Sequence, residues 1–211
     1  MKKISALVLA AGESKRMAPT FHEKALKGKS GQHKLLLPFA GKTIVESTVD
    51  AILQAHVDEV IVVLGHEAEK VREALQRRPV QIVHNPAYQS GMASSIHAGL
   101  AALAPDAGAV MISLADLPLV QSAELNLLIS SFLSTKEKTI AVPTFAGQRG
   151  NPVIFDLRYR HEMLALRGDV GCKSILARHP QALLEVEMPT ASVLEDVDTL
   201  EAYERLIRAK Q

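Results

Sequence analysis

The sequence contains a single cysteine, Cys172, no long apolar segment and a formal net charge of only +1. One thiol cannot form an intrachain disulfide, and it cannot supply a multi-cysteine zinc or iron–sulfur site. No apolar stretch approaches the ~20 residues that a membrane-spanning helix needs. The balanced charge gives no reason to expect nucleic acid or a membrane surface as a partner. These absences lead us to expect a cytoplasmic protein.

Neither an internal repeat nor a low-complexity linker divides the 211 residues. A chain of this length can bury a core without disulfides or metals, so we predict a single domain over residues 1–211. The stretch from Met1 to Ala11 faintly resembles a signal peptide, but its apolar run is short and charged residues follow at once. A buried first strand is the better interpretation.

Short β-branched runs alternate with amphipathic stretches along the chain, and the clearest helix start is Thr43 with Glu46, a capping box. Several apolar runs are continuous, as expected of strands that are covered on both faces. The alternation predicts a three-layer, Rossmann-like α/β fold with a mostly parallel sheet and helices on both faces. The predicted strands are Ile4–Leu9, Glu59–Leu64, Gln81–Val83, Val110–Leu114, Thr139–Val142, Pro152–Phe155 and Leu183–Val186.

Such sheets bind ligands beyond the carboxyl ends of their strands. The loop after the first predicted strand allows a close approach of the backbone, and its N–H groups can cradle phosphate oxygens. It lacks both the Gly-Lys-Ser/Thr of a Walker loop and the dinucleotide Gly-x-Gly-x-x-Gly pattern. A plain small-residue turn with solvated charges is the alternative. The loop comprises Leu9, Ala10, Ala11, Gly12, Glu13 and Ser14, and it is followed by the cation Arg16.

An aspartate, Asp116, follows the buried run Val110–Leu114, just before Pro118 turns the chain. Magnesium prefers oxygen ligands and usually takes one or two carboxylates together with substrate phosphates. Asp116 is therefore a candidate metal ligand, and a helix cap or turn is the alternative role.

Three further glycine-containing stretches carry polar residues. Gly91, Ser94 and Ser95 open a predicted helix, whose first N–H groups can receive an anion or a nucleobase carbonyl. Simple capping by the serines is the alternative. The turns Arg149–Pro152 and Arg167–Gly171 are candidates for acceptor contacts, although ordinary turns need the same glycines.

Several motifs in one order make the chain similar to a known family. Leu-Ala-Ala-Gly-x-Ser-x-Arg-Met begins at Leu9, and Lys-Leu-Leu-Leu-Pro begins at Lys34. Leu-Ala-Asp-Leu-Pro, Gly-Asn-Pro, Gly-Asp-Val-Gly and Asp-Val-Asp-Thr follow further along. Together they resemble the MobA-like nucleotidyltransferases, and most closely the molybdenum cofactor cytidylyltransferases, including the type associated with purine catabolism and xanthine dehydrogenase maturation.

The resemblance implies the nucleotide-diphosphosugar transferase version of the fold, with nucleotide bound by the N-terminal half and acceptor by the C-terminal half. It implies Mg²⁺ as cofactor, CTP and molybdopterin as substrates, and docking to a client molybdoenzyme. The catalytic residues would be Arg16, Lys34 and Asp116, and Asp196 or, slightly favoured, Asp198 would assist Asp116 at the metal. The nucleotide would contact Leu9 to Ser14, Gly91, Ser94 and Ser95, and the acceptor would contact Gly150, Asn151, Pro152, Gly168, Asp169 and Gly171.

Two features leave the function open. The pair Ala10-Ala11 is typical of relatives that use CTP, but some uridylyl- and thymidylyltransferases carry the same Ala-Ala pair. The segment Pro19 to His33 is longer than in relatives, and it is either a lid over triphosphate or, as we favour, a tolerated surface insertion. A transferase acting on a sugar or polyol phosphate, and a non-catalytic module that carries the cofactor, are the competing hypotheses.

Overall fold

The structure is a computed structural model that describes residues 2–13 and 33–208. Within these ranges the strands are β1 (Ile4–Ala10), β2 (Pro38–Phe39), β3 (Lys42–Thr43), β4 (Glu59–Leu64), β5 (Gln81–His84), β6 (Ala109–Leu114), β7 (Ile140–Phe145), β8 (Gln148–Arg149), β9 (Val153–Asp156) and β10 (Leu183–Glu187). Eight of them form one central sheet in the order β10-β7-β9-β6-β1-β4-β5, with β8 paired to β7, and β2 and β3 form a separate hairpin.

The pairing confirms the predicted, mostly parallel sheet. Strand β1 is central and runs parallel to β4 and β6, β4 runs parallel to β5, and β7 runs parallel to β10. Strand β9 is inserted antiparallel between β6 and β7. Because Ala10 pairs with Leu64 and Leu9 pairs with Leu114, the carboxyl ends of β1, β4 and β6 lie at the same edge. The loops that follow these three strands are thereby brought together.

Helices cover both faces of the sheet and complete the predicted three layers. The helices are α1 (Ile44–Leu53), α2 (Ala68–Leu75), α3 (Met92–Ala101), α4 (Ser122–Ser134), α5 (Arg160–Leu164), α6 (Lys173–Arg178) and α7 (Leu200–Arg208). Alternate residues of β1 face opposite sides: Ala6 and Val8 pack with α1, α2, α4 and α7, while Leu7 packs with α3, α5 and α6. None of these helices is long and apolar enough to cross a membrane, within the ranges that the structure covers.

The start of α1 confirms the capping box that the sequence predicts. The Thr43 hydroxyl accepts from the backbone N–H of Glu46, and the Glu46 carboxylate accepts from the backbone N–H of Thr43. Arg78, beyond the end of α2, donates to both Glu46 and Asp50 of α1. This half-buried ion-pair cluster fixes α2 against α1 on the face of the sheet that carries α4.

Candidate active site

A cleft of about 980 Å³ opens at the carboxyl edge of β1 and β6 and extends along β7 and β9. It separates the loop after β1 on one side from the turns near residues 150 and 170 on the other. Ser14 and Arg16 lie outside the described residues. The predicted site residues that line the cleft are Leu9, Ala10, Ala11, Gly12, Glu13, Lys34, Gly91, Ser95, Asp116, Gly150, Asn151, Asp169, Gly171, Asp196 and Asp198.

Lys34 joins two of the predicted carboxylates. Its Nζ lies 2.5 Å from Oδ2 of Asp116 and 2.8 Å from Oδ1 of Asp198. Burial lowers the pKa of Lys34, but the two carboxylates outweigh this effect and raise the pKa above its ordinary value. The amine of Lys34 therefore stays charged. Lys34 reaches both aspartates even though a long segment precedes it in the sequence.

The remaining oxygen of Asp116 is the least satisfied polar atom of the site. Asp116 is buried, and its Oδ1 has no hydrogen-bond partner among residues 2–13 and 33–208. A buried carboxylate oxygen without a partner is costly unless a donor or a cation meets it. Asp116 is thus equipped to hold a hard cation through Oδ1.

The two aspartates of the last loop differ. Asp198 is paired with Lys34, whereas the pKa of Asp196 is raised by burial and then by the negative charges of Asp116 and Asp198. A cation would relieve this repulsion. No group of three or more His, Cys, Asp or Glu side chains arranged to hold a metal occurs in the described part of the chain.

A buried glutamate, which the sequence analysis missed, holds the loop that carries these aspartates. Glu124 accepts hydrogen bonds from the hydroxyls of Thr190, at 2.6 Å, and Ser192, at 2.8 Å. Further along the same loop the backbone N–H of Val197 donates to the carbonyl of Asp116 at 3.1 Å. The capping box of Glu124 with Gln121 is a recognisable helix start, but nothing in the local sequence indicates the distant partners.

The start of α3 differs from the expectation that its N–H groups are free for a ligand. Met92 N–H donates to Oδ1 of Asp169 at 3.3 Å, and Ala93 N–H donates to the carbonyl of Gly168 at 3.0 Å. The Ser94 hydroxyl lies within hydrogen-bond distance of the carbonyl of Gly91, at 2.8 Å. The N–H groups of Met92 and Ala93 therefore bind the turn from the second half of the chain, and the Ser94 hydroxyl donates to the carbonyl of Gly91 and does not cap the helix.

Three predicted contact residues do not line the cleft. Within the described ranges, Ser94, Pro152 and Gly168 are absent from its wall, although each adjoins a residue that does line it. Gly168 instead accepts from α3, and Pro152 leads into β9.

His33 is a second residue that the sequence analysis did not single out. It is buried directly before Lys34, and its Nε2 lies 3.1 Å from the carbonyl oxygen of Gly12 in the loop after β1. Its ring stacks on that of His66 at a centroid distance of 5.7 Å. A lone histidine beside a motif carries no pattern that predicts such a contact.

A mostly parallel α/β sheet with a backbone loop, a lysine and two aspartates at its carboxyl edge is typical of proteins that bind a ligand at that edge. Comparison with known proteins identifies the family to which the chain belongs. The MobA-like NTP transferase domain matches residues 6–183, and the chain belongs to this family. Nucleotidyltransferase activity is thereby supported.

Relatives match over nearly the whole chain. The nicotine blue oxidoreductase of Paenarthrobacter nicotinovorans is 30% identical over 209 residues, which cover 97% of this chain and 96% of that protein. A nucleotidyl transferase from Methanothermobacter thermautotroptrophicus superimposes with a TM-score of 0.85 and 29% identity, covering 99% of this chain and 98% of that one. Rv0371c of Mycobacterium tuberculosis, solved in complex with manganese, gives a TM-score of 0.77 and 27% identity, with 98% of each chain covered.

Proposed function

We propose that the protein is a Mg²⁺-dependent cytidylyltransferase that transfers CMP from CTP to the phosphate of molybdopterin or the molybdenum cofactor. Pyrophosphate leaves, and the product matures a molybdenum hydroxylase such as xanthine dehydrogenase. The observation that carries the proposal is the buried Oδ1 of Asp116, which has no partner among the residues that the structure describes and lies beside the charged Lys34. A metal ion and a polyphosphate together satisfy this arrangement. The manganese complex of the Mycobacterium tuberculosis relative supports a divalent ion.

In this reaction a terminal phosphate oxygen of the acceptor attacks the α-phosphorus of CTP. The bond between the α-phosphorus and the α–β bridging oxygen breaks, and pyrophosphate carries away the negative charge. The attacking phosphate is already an anion, so no strong general base is required. Catalysis then depends on positioning and on neutralising charge.

Named side chains take these tasks. Lys34 offsets charge on the phosphates, and Arg16, which lies outside the described residues, is assigned the same task. Asp116, with Asp198 or Asp196, would hold Mg²⁺, which supplies charge neutralisation to the triphosphate when bound. The cleft of about 980 Å³ is at the upper end of the roughly 300–1,000 Å³ range of small-molecule sites, which leaves room for nucleotide and acceptor together.

The two sides of the cleft would bind different substrates, the nucleotide on one side and the acceptor on the other. The methyl groups of Ala10 and Ala11 leave less room beside the loop than two glycines would. This favours a pyrimidine base over a purine. The opposite wall, with Gly150, Asn151, Asp169 and Gly171, would receive the acceptor. Docking to the client enzyme would allow the product to be passed on directly.

The decisive experiment measures pyrophosphate release from CTP, GTP, UTP and ATP in the presence of Mg²⁺, with and without molybdopterin. We expect release only with molybdopterin and fastest with CTP. Turnover with a sugar or polyol phosphate, but none with molybdopterin, would replace this acceptor by the competing one. Tight binding of the cytosine dinucleotide without any pyrophosphate release would indicate a cofactor-carrying module.

An aspartate pair tests the metal site. Asp116→Asn should abolish turnover while the fold is retained, because the amide cannot replace a carboxylate at a magnesium ion. The control, Asp106→Asn, removes an exposed carboxylate that is paired with Lys3. It should leave turnover unchanged. Activity of Asp116→Asn near that of the control would remove the metal assignment.

A second candidate follows from the relative that is named an oxidoreductase and matches nearly end to end. A nicotinamide dinucleotide also carries a pyrophosphate, which the loop after β1 could bind. Incubation with NADH or NADPH and nicotine blue tests this directly. Oxidation of the nicotinamide without any pyrophosphate release from a triphosphate would favour the redox function.

A further inference from the structure

The residue before Lys34 contacts two elements of the site at once. His33 is only 4% exposed. Its Nδ1 accepts from the backbone N–H of Leu35 at 3.3 Å, which caps the short turn Lys34–Leu36. Its Nε2 lies 3.1 Å from the carbonyl oxygen of Gly12. One imidazole thus links the turn that carries Lys34 to the loop after β1.

The two contacts define the form of the ring. Because Nδ1 accepts a hydrogen bond, it carries no proton, and the proton of the neutral ring is on Nε2. Nε2 therefore donates to the carbonyl of Gly12. Burial, which opposes the cationic form, lowers the pKa of His33 below its ordinary value and is consistent with this neutral ring. Among the described residues, Glu67 acts to raise this pKa, whereas His66 and Lys34 act to lower it.

The contact with Gly12 sets the direction of the loop's N–H groups. The carbonyl of Ala11 accepts from the backbone N–H of His66 at 3.2 Å, and the carbonyl of Gly12 accepts from His33. In a trans peptide the following N–H points opposite to the carbonyl, and Asn151–Pro152 is the one cis bond in the described part of the chain.

The N–H groups of Gly12 and Glu13 therefore point away from the two histidines. Gly12 and Glu13 line the cleft, whereas His33 and His66 do not. Two successive N–H groups on one side of a loop form a concave site for an anion.

We propose that His33 is a positioning residue for polyphosphate binding. It holds the peptide after Gly12 so that the N–H of Glu13 faces the triphosphate, and it fixes the turn from which Lys34 reaches the same phosphates. This inference rests on the proposed function, because it takes the loop after β1 as the triphosphate site. His33 itself touches neither substrate nor metal.

Two substitutions separate the roles of the two ring nitrogens of His33. Glutamine places an amide nitrogen where Nε2 lies and retains a donor for Gly12, whereas asparagine places an oxygen where Nδ1 lies and retains only the cap on Leu35. We expect His33→Gln to keep most of the affinity for inorganic tripolyphosphate in the presence of Mg²⁺. His33→Asn should bind it roughly three- to tenfold more weakly, the effect of losing one hydrogen bond.

Calorimetry with tripolyphosphate and Mg²⁺ is suitable because this probe has no base and so does not depend on the choice of nucleotide. The matched control is His97 of α3, whose Nε2 lies 3.1 Å from the carbonyl of Met163 in α5, and neither residue lines the cleft. His97→Asn loses a similar hydrogen bond and should bind tripolyphosphate as the unmodified protein does. Urea unfolding of all three variants measures the purely structural cost.

The outcomes distinguish the two proposals. Equal affinities of His33→Asn and His33→Gln, or losses that follow urea stability and appear also in His97→Asn, would overturn the role of His33. Absence of tripolyphosphate binding by the unmodified protein would instead overturn the phosphate site, and the proposed function with it. A selective loss in His33→Asn supports the positioning role.

Discussion

Replacing Lys34 by methionine tests the charge balance of the site. The change removes a cation that lies 2.5 Å from Asp116 and 2.8 Å from Asp198, and the three side chains are 14%, 9% and 32% exposed. Removing one partner of a buried ion pair costs about 3–5 kcal/mol, because the other charge is left unpaired. Since Asp198 is partly exposed, we expect the lower end, about 3 kcal/mol. For a chain of this size the melting temperature should fall by roughly 6–12 °C.

The same variant should respond to a divalent ion. In Lys34→Met a metal can bind Asp116 and Asp198 without competing with an amine, so Mn²⁺ should recover part of the lost stability, and EDTA should abolish the recovery. Differential scanning calorimetry with Mn²⁺ or EDTA measures both effects. Turnover should fall strongly even with metal present, because Lys34 also offsets charge on the phosphates.

Lys42 offers the control. Its Nζ lies 2.5 Å from Oδ2 of Asp50, but the lysine side chain is half exposed. Lys42→Met should cost less than about 1 kcal/mol and show no response to Mn²⁺. If Lys34→Met melted at the same temperature as the unmodified protein, or if Mn²⁺ stabilised both variants equally, the reasoning from the buried carboxylates would be refuted.

Two further predictions concern Cys172, which lies in the wall of the cleft, and the ion-pair cluster of Arg78. Burial raises the pKa of the Cys172 thiol to about 12, so iodoacetamide at pH 8 should alkylate the native protein roughly a hundredfold more slowly than the urea-unfolded chain, and equal rates would contradict the burial. Burial raises the pKa of the Glu46 and Asp50 carboxyls, but hydrogen bonds and the charge of Arg78 outweigh it and lower both values. Protons then bind the unfolded chain first, so the stability from this cluster is present at neutral pH and is lost as the pH falls below the ordinary values of 4.5 and 3.8. Urea titrations should show Arg78→Met less stable by about 2 kcal/mol at pH 7, with the difference shrinking in acid, and a constant difference would contradict it.

The layer arrangement and most strands could be predicted because hydrophobic periodicity determines them. All seven predicted strands are present, with small shifts at their ends. The short hairpins were missed: β2–β3 and β7–β8 turn at Ala40 and Ala146, which adopt positive φ angles of 47° and 49°. Each alanine precedes a glycine, Gly41 or Gly147, that also adopts a positive φ, but alanine in the position before it is not a turn signal. The reversal at Ala146 is what places β9 antiparallel in the sheet.

Only those residues of the site that lie in family motifs could be predicted from the sequence. Lys34 and Asp116 stand in motifs of the family, and the structure places them in contact. His33 and Glu124 stand in none. Their partners are distant in sequence, and only the packing of the sheet and its loops brings them together. A residue type alone cannot indicate such a contact.

The glycine-rich turns have a role that neither acceptor binding nor ordinary turn chemistry describes. A Cβ on Gly91 would lie 2.2 Å from the carbonyl carbon of Gly168, and a Cβ on Gly150 would lie 2.3 Å from the carbonyl oxygen of Val193. At both places the backbones of distant segments touch across the wall of the cleft. Larger residues would force these segments apart, and with them the N–H groups of α3 and the loop that carries Asp198. The glycines thus allow the close backbone contacts that hold the start of α3 against the turn at Gly168, and the segment after β8 against the loop that leads to Asp198.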